Sequence, residues 1–198
     1  RILRFDPRTM RDLRKSLAVL HEDTLDGLVL DLRGNPGGIL EQAVAAADVW
    51  LDDGTIVATD GRARAREVAE AGAPRTEPGY PIAVLVNEQT ASAAEILAGA
   101  LGDHDRARLF GRASFGKGSV QTLLELEDGS ALKLTVARYF TPSGRSIDGR
   151  GISPDVRVRE LDEGFRLGDP SADRALRAAL AWLRPTAGLP PAAERRDP

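Results

Sequence analysis

The chain has 198 residues, a size typical of one globular domain, and 42% of them are apolar, which is enough for a hydrophobic core. Its formal net charge of −3 gives no general attraction to nucleic acid or to a membrane surface. The lack of cysteine excludes disulfides, thiolate metal sites and a cysteine nucleophile, and two histidines, His21 and His104, are too few for a histidine-rich metal centre.

No apolar run approaches 18 residues, so no membrane-spanning helix is predicted, and no signal peptide is recognisable. Because the chain begins at Arg1 and not at methionine, we expect a fragment or a processed form. Any membrane association would then come through segments outside these 198 residues.

The first part of the chain alternates strands and helices. Residues 1–5 predict a short strand, and Asp6-Pro7 indicates a helix start. One face of that helix is apolar at helical spacing: Met10, Leu13, Leu17 and Leu20. The apolar run before NPGG predicts a buried strand. A second helix is expected over about residues 39–51, with Leu40, Val44 and Ala47 on one side. GTIVATD predicts another strand, and residues 61–80 a surface excursion.

The second part continues this alternation. PIAVLVNE predicts a buried strand, TASAAEILAGAL a helix, RARLFG a short strand, and residues 119–140 a hairpin that turns at Asp128-Gly129. TPSGRSIDGRGISPD predicts a turn-rich loop. A helix starting at Asp169 and Pro170 is expected over about residues 170–184, and residues 185–198 are expected to form a flexible tail. The pattern predicts an α/β domain whose sheet is at least partly parallel.

The segment GRASFGKGS, residues 111–119, nearly matches the phosphate-binding pattern G-x-x-x-x-G-K-[ST]. Gly118 stands where a hydroxyl should reach Mg²⁺, and a hairpin is predicted where a helix should hold the phosphates. Nucleotide binding is therefore not favoured. Only three of the 27 basic residues are lysine, and Lys117 is one of them. Chance would explain the count, but a lysine can also become a neutral base, unlike arginine.

Ser92 lies between a predicted strand and a predicted helix. This position is typical of an N-cap, and it also suits a nucleophile. His104, with Asp103 or Asp105, is a poor candidate for its base, because it lies about twelve residues along the same helix at 1.5 Å per residue. Lys117 remains, since Ser-Lys pairs are a known variant of such sites.

Four motifs occur in order without a large gap: LVLDLRGNPGGIL, TASAAEILAGAL, GRASFGKGSVQ and TPSGRSIDGRGISPDV. Together they resemble the catalytic core of the carboxyl-terminal processing peptidases, also called tail-specific proteases. The resemblance covers about residues 1–160, with the core motifs in 26–156, and the helix at 170–184 also fits. It implies a catalytic domain over residues 1–184. Thr90 replaces the first serine of the family's SASA stretch.

The resemblance implies a role for each matching residue. Ser92 is the nucleophile, Lys117 the general base, and Gln121 the residue that orients the lysine. The backbone N–H groups of Ala93 and Gly38 form the oxyanion hole. A lysine base near neutral pH needs its pKa lowered by roughly 2–3 units, which burial away from carboxylates would supply. Glutamine accepts a hydrogen bond from the amine without adding a charge.

The family resemblance also implies a fold and an activity. The fold is that of the crotonase/ClpP-like group, with a mixed sheet flanked by helices. The activity is that of a serine endopeptidase, without cofactor or metal, which cleaves protein substrates near an exposed C-terminal tail and binds no nucleic acid. The location would be extracytoplasmic, in the bacterial periplasm or cell envelope. The PDZ domain usual in the family is not among these residues, and the oligomeric state is left open. The alternative is a non-catalytic ligand- or peptide-binding module on the same scaffold.

Several charged residues near these motifs are interpreted as structural. Glu95 is expected to be a first-turn acid that favours the helix dipole, rather than a catalytic group. Asp31 and Arg33 are expected to form ion-paired supports beside the oxyanion turn. Structural positioning is also expected for three charged residues of the turn-rich loop: Arg145, Asp148 and Arg150.

Overall fold

The computed structural model describes residues 1–21, 25–61, 64–72, 76–77, 79–159 and 166–186. In chain order, the elements are α1 (Thr9–Leu20), β1 (Leu28–Asp31), α2 (Leu40–Asp48), β2 (Thr55–Gly61), β3 (Arg64–Glu70), β4 (Ile82–Val86), α3 (Ala93–Asp103), β5 (Arg108–Gly111), β6 (Ser119–Glu125), β7 (Ala131–Phe140), β8 (Val156–Arg157) and α4 (Arg174–Thr186). Within these ranges no helix is both long and apolar enough to cross a membrane.

The strands form two four-stranded sheets. One has the order β1-β4-β5-β8 and is entirely parallel, and the other has the order β3-β2-β7-β6 and is antiparallel. The predicted α/β class, with parallel and antiparallel strands flanked by helices, is confirmed. The two strand directions occur in separate sheets. Helix α3 joins the parallel neighbours β4 and β5, whereas short turns join the antiparallel pairs β2–β3 and β6–β7.

The parallel sheet is covered on both faces, and β4 shows why its sequence is a continuous apolar run. Its five residues are all buried. Ile82, Val84 and Val86 belong to the larger core together with α2 and α3, whereas Ala83 and Leu85 pack with α4. Successive side chains of a strand point to opposite faces, so a strand between two helical layers needs apolar residues at every position.

The N-terminal segment differs from its prediction. Residues 1–5 form no strand, and only Phe5 makes an isolated parallel bridge, to Gly38. The helix begins at Thr9, because the Asp6 carboxylate accepts a hydrogen bond from the Arg8 N–H and the Asp6 N–H donates to the Thr9 hydroxyl. These bonds make a turn before the helix. Leu20 is 45% exposed, so it does not belong to a buried face.

Two strands were not predicted. The excursion over residues 61–80 contains β3, which pairs with β2, and positions 62–63, 73–75 and 78 lie outside the described residues. β8 begins directly after the predicted loop, where no element was predicted, and pairs in parallel with β5. The hairpin is confirmed as β6–β7, with Gly129 at a φ of 81° in its turn.

The last helix begins later than predicted. The predicted start near Asp169 is a turn. Helix α4 begins at Arg174, and the side chain of the preceding residue, Asp173, accepts a hydrogen bond from the Leu176 N–H in its first turn. The helix ends at Thr186, two residues beyond the predicted end. The rest of the expected tail, residues 187–198, lies outside the described residues.

Candidate active site

Ser92 lies at the junction between the buried strand β4 and helix α3, as predicted. It is half-buried and has φ 56° and ψ −120°. A positive φ is uncommon for residues other than glycine and, when the surrounding structure holds it, often marks a functional turn. The Ser92 N–H donates to the carboxylate of Glu95 at 2.7 Å, which fixes this turn to the first turn of α3.

The NPGG turn packs directly against Ser92. A Cβ built on Gly37 would lie 2.8 Å from the Cβ of Ser92 and 2.9 Å from the nitrogen of Ala93, so only glycine fits there. The Gly37 N–H is already bound to the Asn35 side chain at 2.8 Å. Among the described residues, no acceptor is bound to the N–H of Gly38 or of Ala93.

The backbone of Phe5 holds Gly38 in place. The Phe5 N–H donates to the Gly37 carbonyl at 2.9 Å, and the Phe5 carbonyl accepts from the Ile39 N–H at 2.9 Å. This ladder uses the groups on either side of Gly38 and leaves its own N–H unused. Gly38 has a φ of 139°, and a Cβ there would lie 2.0 Å from the Phe5 oxygen.

The Lys117 loop, residues 114–118, packs against the segment 147–151. A Cβ on Gly118 would lie 2.1 Å from the Asp148 nitrogen, and the Gly116 carbonyl accepts from the Gly149 N–H at 2.9 Å. Lys117 itself points outward, and its side chain is exposed. The expected burial of this lysine is therefore wrong: the buried residues of the loop are Ser114, Gly116 and Gly118.

Gln121 lies in β6, opposite Thr135 of β7. The register shifts just before it, because Val136 falls between the partners of Val120 and Gln121. The Gln121 side chain is exposed, and among the described residues no hydrogen bond joins it to Lys117. The structure thus brings the Lys117 backbone toward the Ser92 turn, through the Glu95 carboxylate that binds both N–H groups.

Glu95 is the residue whose importance sequence reasoning missed. It is completely buried, although it was interpreted as a first-turn acid. Its carboxylate accepts hydrogen bonds from the Ser92 N–H and, across the site, from Ser114, Gly116 and Lys117. The spacing S-x-x-E is the sequence signal that could have shown part of this role, because it is typical of a capping box and accounts for the bond to Ser92 alone.

Arg33 connects the start of the NPGG turn to helix α4. Its side chain is 2% exposed, and it donates to Asp31 at 2.9 Å and to Asp173 at 2.7 and 2.8 Å. Burial alone would raise the pKa of Asp173, but the Arg33 guanidinium and two backbone N–H groups outweigh it and hold that pKa below its usual value. The predicted ion pair between Asp31 and Arg33 is confirmed, with Asp173 as an added partner.

The rejected alternatives do not fit this geometry. His104 lies at the other end of α3 from Ser92, about 18 Å away at 1.5 Å per residue, and its Nε2 is 2.7 Å from the Thr55 carbonyl oxygen. Lys117 is followed by strand β6 and not by a helix. In the described part of the chain no cluster of three or more potential ligands could hold a metal ion.

The charged residues of the 141–155 loop attach it to its neighbours. Arg145 forms an ion pair with Asp103 at the end of α3, and Asp148 pairs with Arg138 of β7 at 3.2 Å. The predicted structural role of these two residues agrees with these contacts. The loop in turn supports the backbone of the Lys117 loop.

Comparison with known proteins extends this picture. The sequence profile of Peptidase family S41 matches residues 1–158. The chain belongs to this family. It is 47% identical over 174 residues to the carboxy-terminal-processing protease of Bartonella bacilliformis, a match that covers 84% of this chain and 40% of that protein. It is 44% identical over 184 residues to the carboxyl-terminal-processing protease of Picosynechococcus sp., covering 92% of this chain and 44% of that protein.

A solved structure agrees with the sequence matches. The photosystem II D1 C-terminal processing protease superposes on this S41 chain with a TM-score of 0.77 at 36% identity, over 88% of this chain and 47% of that one. The predicted resemblance to carboxyl-terminal processing peptidases is confirmed. The S41 chain spans less than half the length of these relatives.

Proposed function

We propose that this S41 chain is the catalytic core of a serine endopeptidase, with Ser92 as the nucleophile, Lys117 as the general base and Gln121 as the residue that orients the lysine. The observation that carries the proposal is the turn at Ser92, whose backbone is strained. The N–H groups of Ala93 and Gly38 have no acceptor among the described residues, and they belong to segments that pack against each other. Two such donors suit a developing oxyanion.

The reaction proceeds in two halves. The Ser92 Oγ attacks the carbonyl carbon of the scissile peptide while its proton passes to the Lys117 Nζ, and the N–H groups of Ala93 and Gly38 stabilise the oxyanion. The lysine then gives the proton to the departing amine, which leaves an ester on Ser92. In the second half a water molecule loses a proton to the lysine and attacks that ester. The bond between the acyl group and the Ser92 Oγ breaks, the acyl group leaves as a carboxylic acid, and the lysine returns the proton to Ser92.

The exposed Lys117 side chain fits this scheme once a substrate is bound. A lysine in water is almost entirely protonated at neutral pH, so it must lose water contacts before it acts as a base. A peptide that lies across the site would displace water from the amine. We therefore propose that bound substrate completes the environment of the base.

The substrates and the location are parts of the same proposal. Family membership and the names of the relatives support protein substrates that are cleaved near the C-terminus. The family resemblance supports an extracytoplasmic location, and fractionation of the source cells with an antibody to the chain tests it.

The first prediction concerns the proposed nucleophile and base. In the intact protein, Ser92→Ala and Lys117→Ala are each expected to lower cleavage of an unfolded protein by roughly 10³-fold or more, because each removes a participant in proton transfer. Circular dichroism should show an unchanged fold. Mass spectrometry of the wild-type products locates the cut relative to the substrate C-terminus.

A matched lysine serves as the control. Lys133 is exposed on strand β7 of the same hairpin, so Lys133→Ala should keep full activity. Substantial hydrolysis by purified Lys117→Ala protein would contradict the assigned base. The alternative, a non-catalytic binding module, predicts that Ser92 does not react with a serine-directed fluorophosphonate, whereas a peptidase predicts covalent labelling at Ser92.

A further inference from the structure

Glu95 joins two segments of the site through a single carboxylate. Its Oε2 accepts from the N–H of Ser92 at 2.7 Å and from the N–H of Lys117 at 2.8 Å. Its Oε1 accepts from the Ser114 hydroxyl at 2.5 Å and from the Gly116 N–H at 2.6 Å. Three of these four donors therefore come from the Lys117 loop and one from the Ser92 turn.

The hydrogen-bond partners of this carboxylate match the ionised form. Glu95 is 0% exposed, and a buried charge is costly unless hydrogen bonds satisfy it. All four partners donate, and an ionised carboxylate is an acceptor at both oxygens, whereas a protonated one would place a hydroxyl donor against other donors. The Ser114 hydroxyl has its own supporting donor, the Ile152 N–H at 2.7 Å.

The shared oxygen limits how far apart the two segments can be. Because Oε2 binds both N–H groups, the backbone nitrogens of Ser92 and Lys117 lie no more than about 5.5 Å apart, the total of the two hydrogen-bond lengths. Helix-dipole stabilisation alone would need none of the three bonds to the Lys117 loop. Glu41 of α2 illustrates that simpler case, as an exposed acid in the first turn of its helix.

We propose that Glu95 is a positioning residue that sets the separation and orientation of the nucleophile turn and the base loop. This inference rests on the proposed function, because it takes Ser92 and Lys117 as the reacting pair. Glu95 does not touch the substrate. It acts through the backbone of both residues, so its loss should slow the chemical step more than it weakens substrate binding.

Glu95→Gln tests this role in the intact protein. The amide keeps the shape of the side chain but turns one acceptor oxygen into a donor that faces two other donors. We expect kcat for a fluorogenic peptide to fall about 10- to 100-fold, since small misplacements of reacting groups cost about this much, while KM changes less than about threefold. The matched control Glu41→Gln should leave both constants unchanged.

A second variant covers the case in which Glu95→Gln does not fold. Ser114→Ala removes one of the four donors and keeps the carboxylate, so kcat should fall about three- to tenfold with little change in KM. Thermal unfolding of each variant shows whether the fold persists. A folded Glu95→Gln protein with wild-type kcat, or a folded Ser114→Ala protein with wild-type kcat if the first variant is unfolded, would overturn the inference.

A double-mutant cycle separates positioning from general damage. If Glu95 acts by holding Lys117 near Ser92, its effect on the rate of fluorophosphonate labelling at Ser92 should largely vanish in a Lys117→Ala background. An undiminished effect there would overturn the inference. Cleavage by Ser92→Ala and Lys117→Ala proteins would instead refute the proposed function, whereas inactivity of those two variants with full activity of Glu95→Gln would refute the positioning role alone.

Discussion

Ser92 has a backbone conformation that costs free energy, and contacts with its neighbours hold it in that conformation. A non-glycine residue in a sparsely populated conformation costs about 1–3 kcal/mol, so neighbouring contacts must hold it. The Glu95 carboxylate binds its N–H, and Gly37 approaches it too closely for any larger residue. Such strain, held by several independent contacts, is typical of a turn that presents a reactive side chain.

Gly118 is required by a different kind of contact. A Cβ there would lie 2.1 Å from the Asp148 backbone nitrogen, which cannot rotate away as a side chain could. Gly118→Ala should therefore push the Lys117 loop away from the 147–151 segment. We expect it to lower the free energy of unfolding by roughly 1–3 kcal/mol and peptide cleavage by at least about tenfold. Urea titration and peptide hydrolysis measure the two effects.

Gly72 provides the control for this substitution. A Cβ at Gly72 meets no atom within 4 Å, and its φ is not positive. Gly72→Ala should leave stability and activity close to those of the wild type. Wild-type activity in Gly118→Ala would show that the loop tolerates displacement.

The sequence could place Ser92 but not the contacts of Glu95. A buried strand followed by a helix is a local sequence pattern, and it shows that Ser92 lies at the junction between the two. The other partners of Glu95 lie 19 to 22 residues further along the chain, so only tertiary packing brings them together. The exposure of Lys117 was unpredictable for the same reason, because burial depends on which distant segments cover a side chain.

Helix α4 is attached to the parallel sheet by packing and by one buried ion pair. Ala175, Ala179 and Leu183 pack against β4 and β5, while Asp173 before the helix binds Arg33 beside the NPGG turn. The helix and the proposed oxyanion turn are therefore joined by a pair of opposite charges that is almost inaccessible to water.

The pH dependence of this attachment follows from the lowered pKa of Asp173. A carboxylate whose pKa is lower in the folded state stabilises the protein above its unfolded value, about 3.9, and this stabilisation is lost as the pH falls through the folded value. We expect Asp173→Asn to lower the free energy of unfolding by roughly 3 kcal/mol at pH 7, because it removes a negative charge that the buried Arg33 guanidinium contacts. Urea titrations should show this difference shrinking below about pH 4.

An exposed ion pair is the matched control. Arg11 and Asp12 are paired at 2.9 Å, but their side chains are 68% and 60% exposed. Asp12→Asn should change the stability little at pH 7, since solvent screens such pairs. An equal loss of stability in both variants would indicate that burial of the Arg33–Asp173 pair has no special effect.

The elements that were predicted well are those with strong apolar patterns. β4 and α3 are almost entirely buried, and their sequences show it. β3 was missed because its sequence, RAREVAE, has no clear apolar face. The strand forms by pairing with β2. β8 has two residues, too few for any periodicity, and it exists because β5 offers an edge to pair with.

Across the whole molecule, burial is unevenly distributed. β4 and α3, which hold Ser92, are in the core, whereas the β6–β7 hairpin that follows Lys117 is mostly exposed. Five leucines at its outer end are 40% to 63% exposed: Leu123, Leu124, Leu126, Leu132 and Leu134. Of the proposed catalytic pair, Ser92 thus lies between two buried elements, whereas Lys117 lies directly before an exposed hairpin.

Native-state hydrogen exchange should reflect this difference. Local opening needs less free energy where few apolar contacts break, so hairpin amides in β6 and the facing part of β7 should exchange at least about 100-fold faster than those of β4. Mass spectrometry of peptic fragments measures both. β2 belongs to the same sheet as the hairpin but has a buried centre, so it should exchange at an intermediate rate. Equal protection of β4 and the hairpin would contradict the prediction.

The bridge between Phe5 and Gly38 sets a limit on how far the chain can be shortened. Ile2 and Phe5 are buried, and the Phe5 backbone holds the residues on both sides of the Gly38 N–H, although residues 1–5 belong to neither sheet. Removing them would leave every strand with its pairing partner but release the NPGG turn. Such a shortened protein is expected to resemble the parent by spectroscopy and to lose the proposed activity, because the two parts of the oxyanion turn would no longer be held by the segment before the first helix.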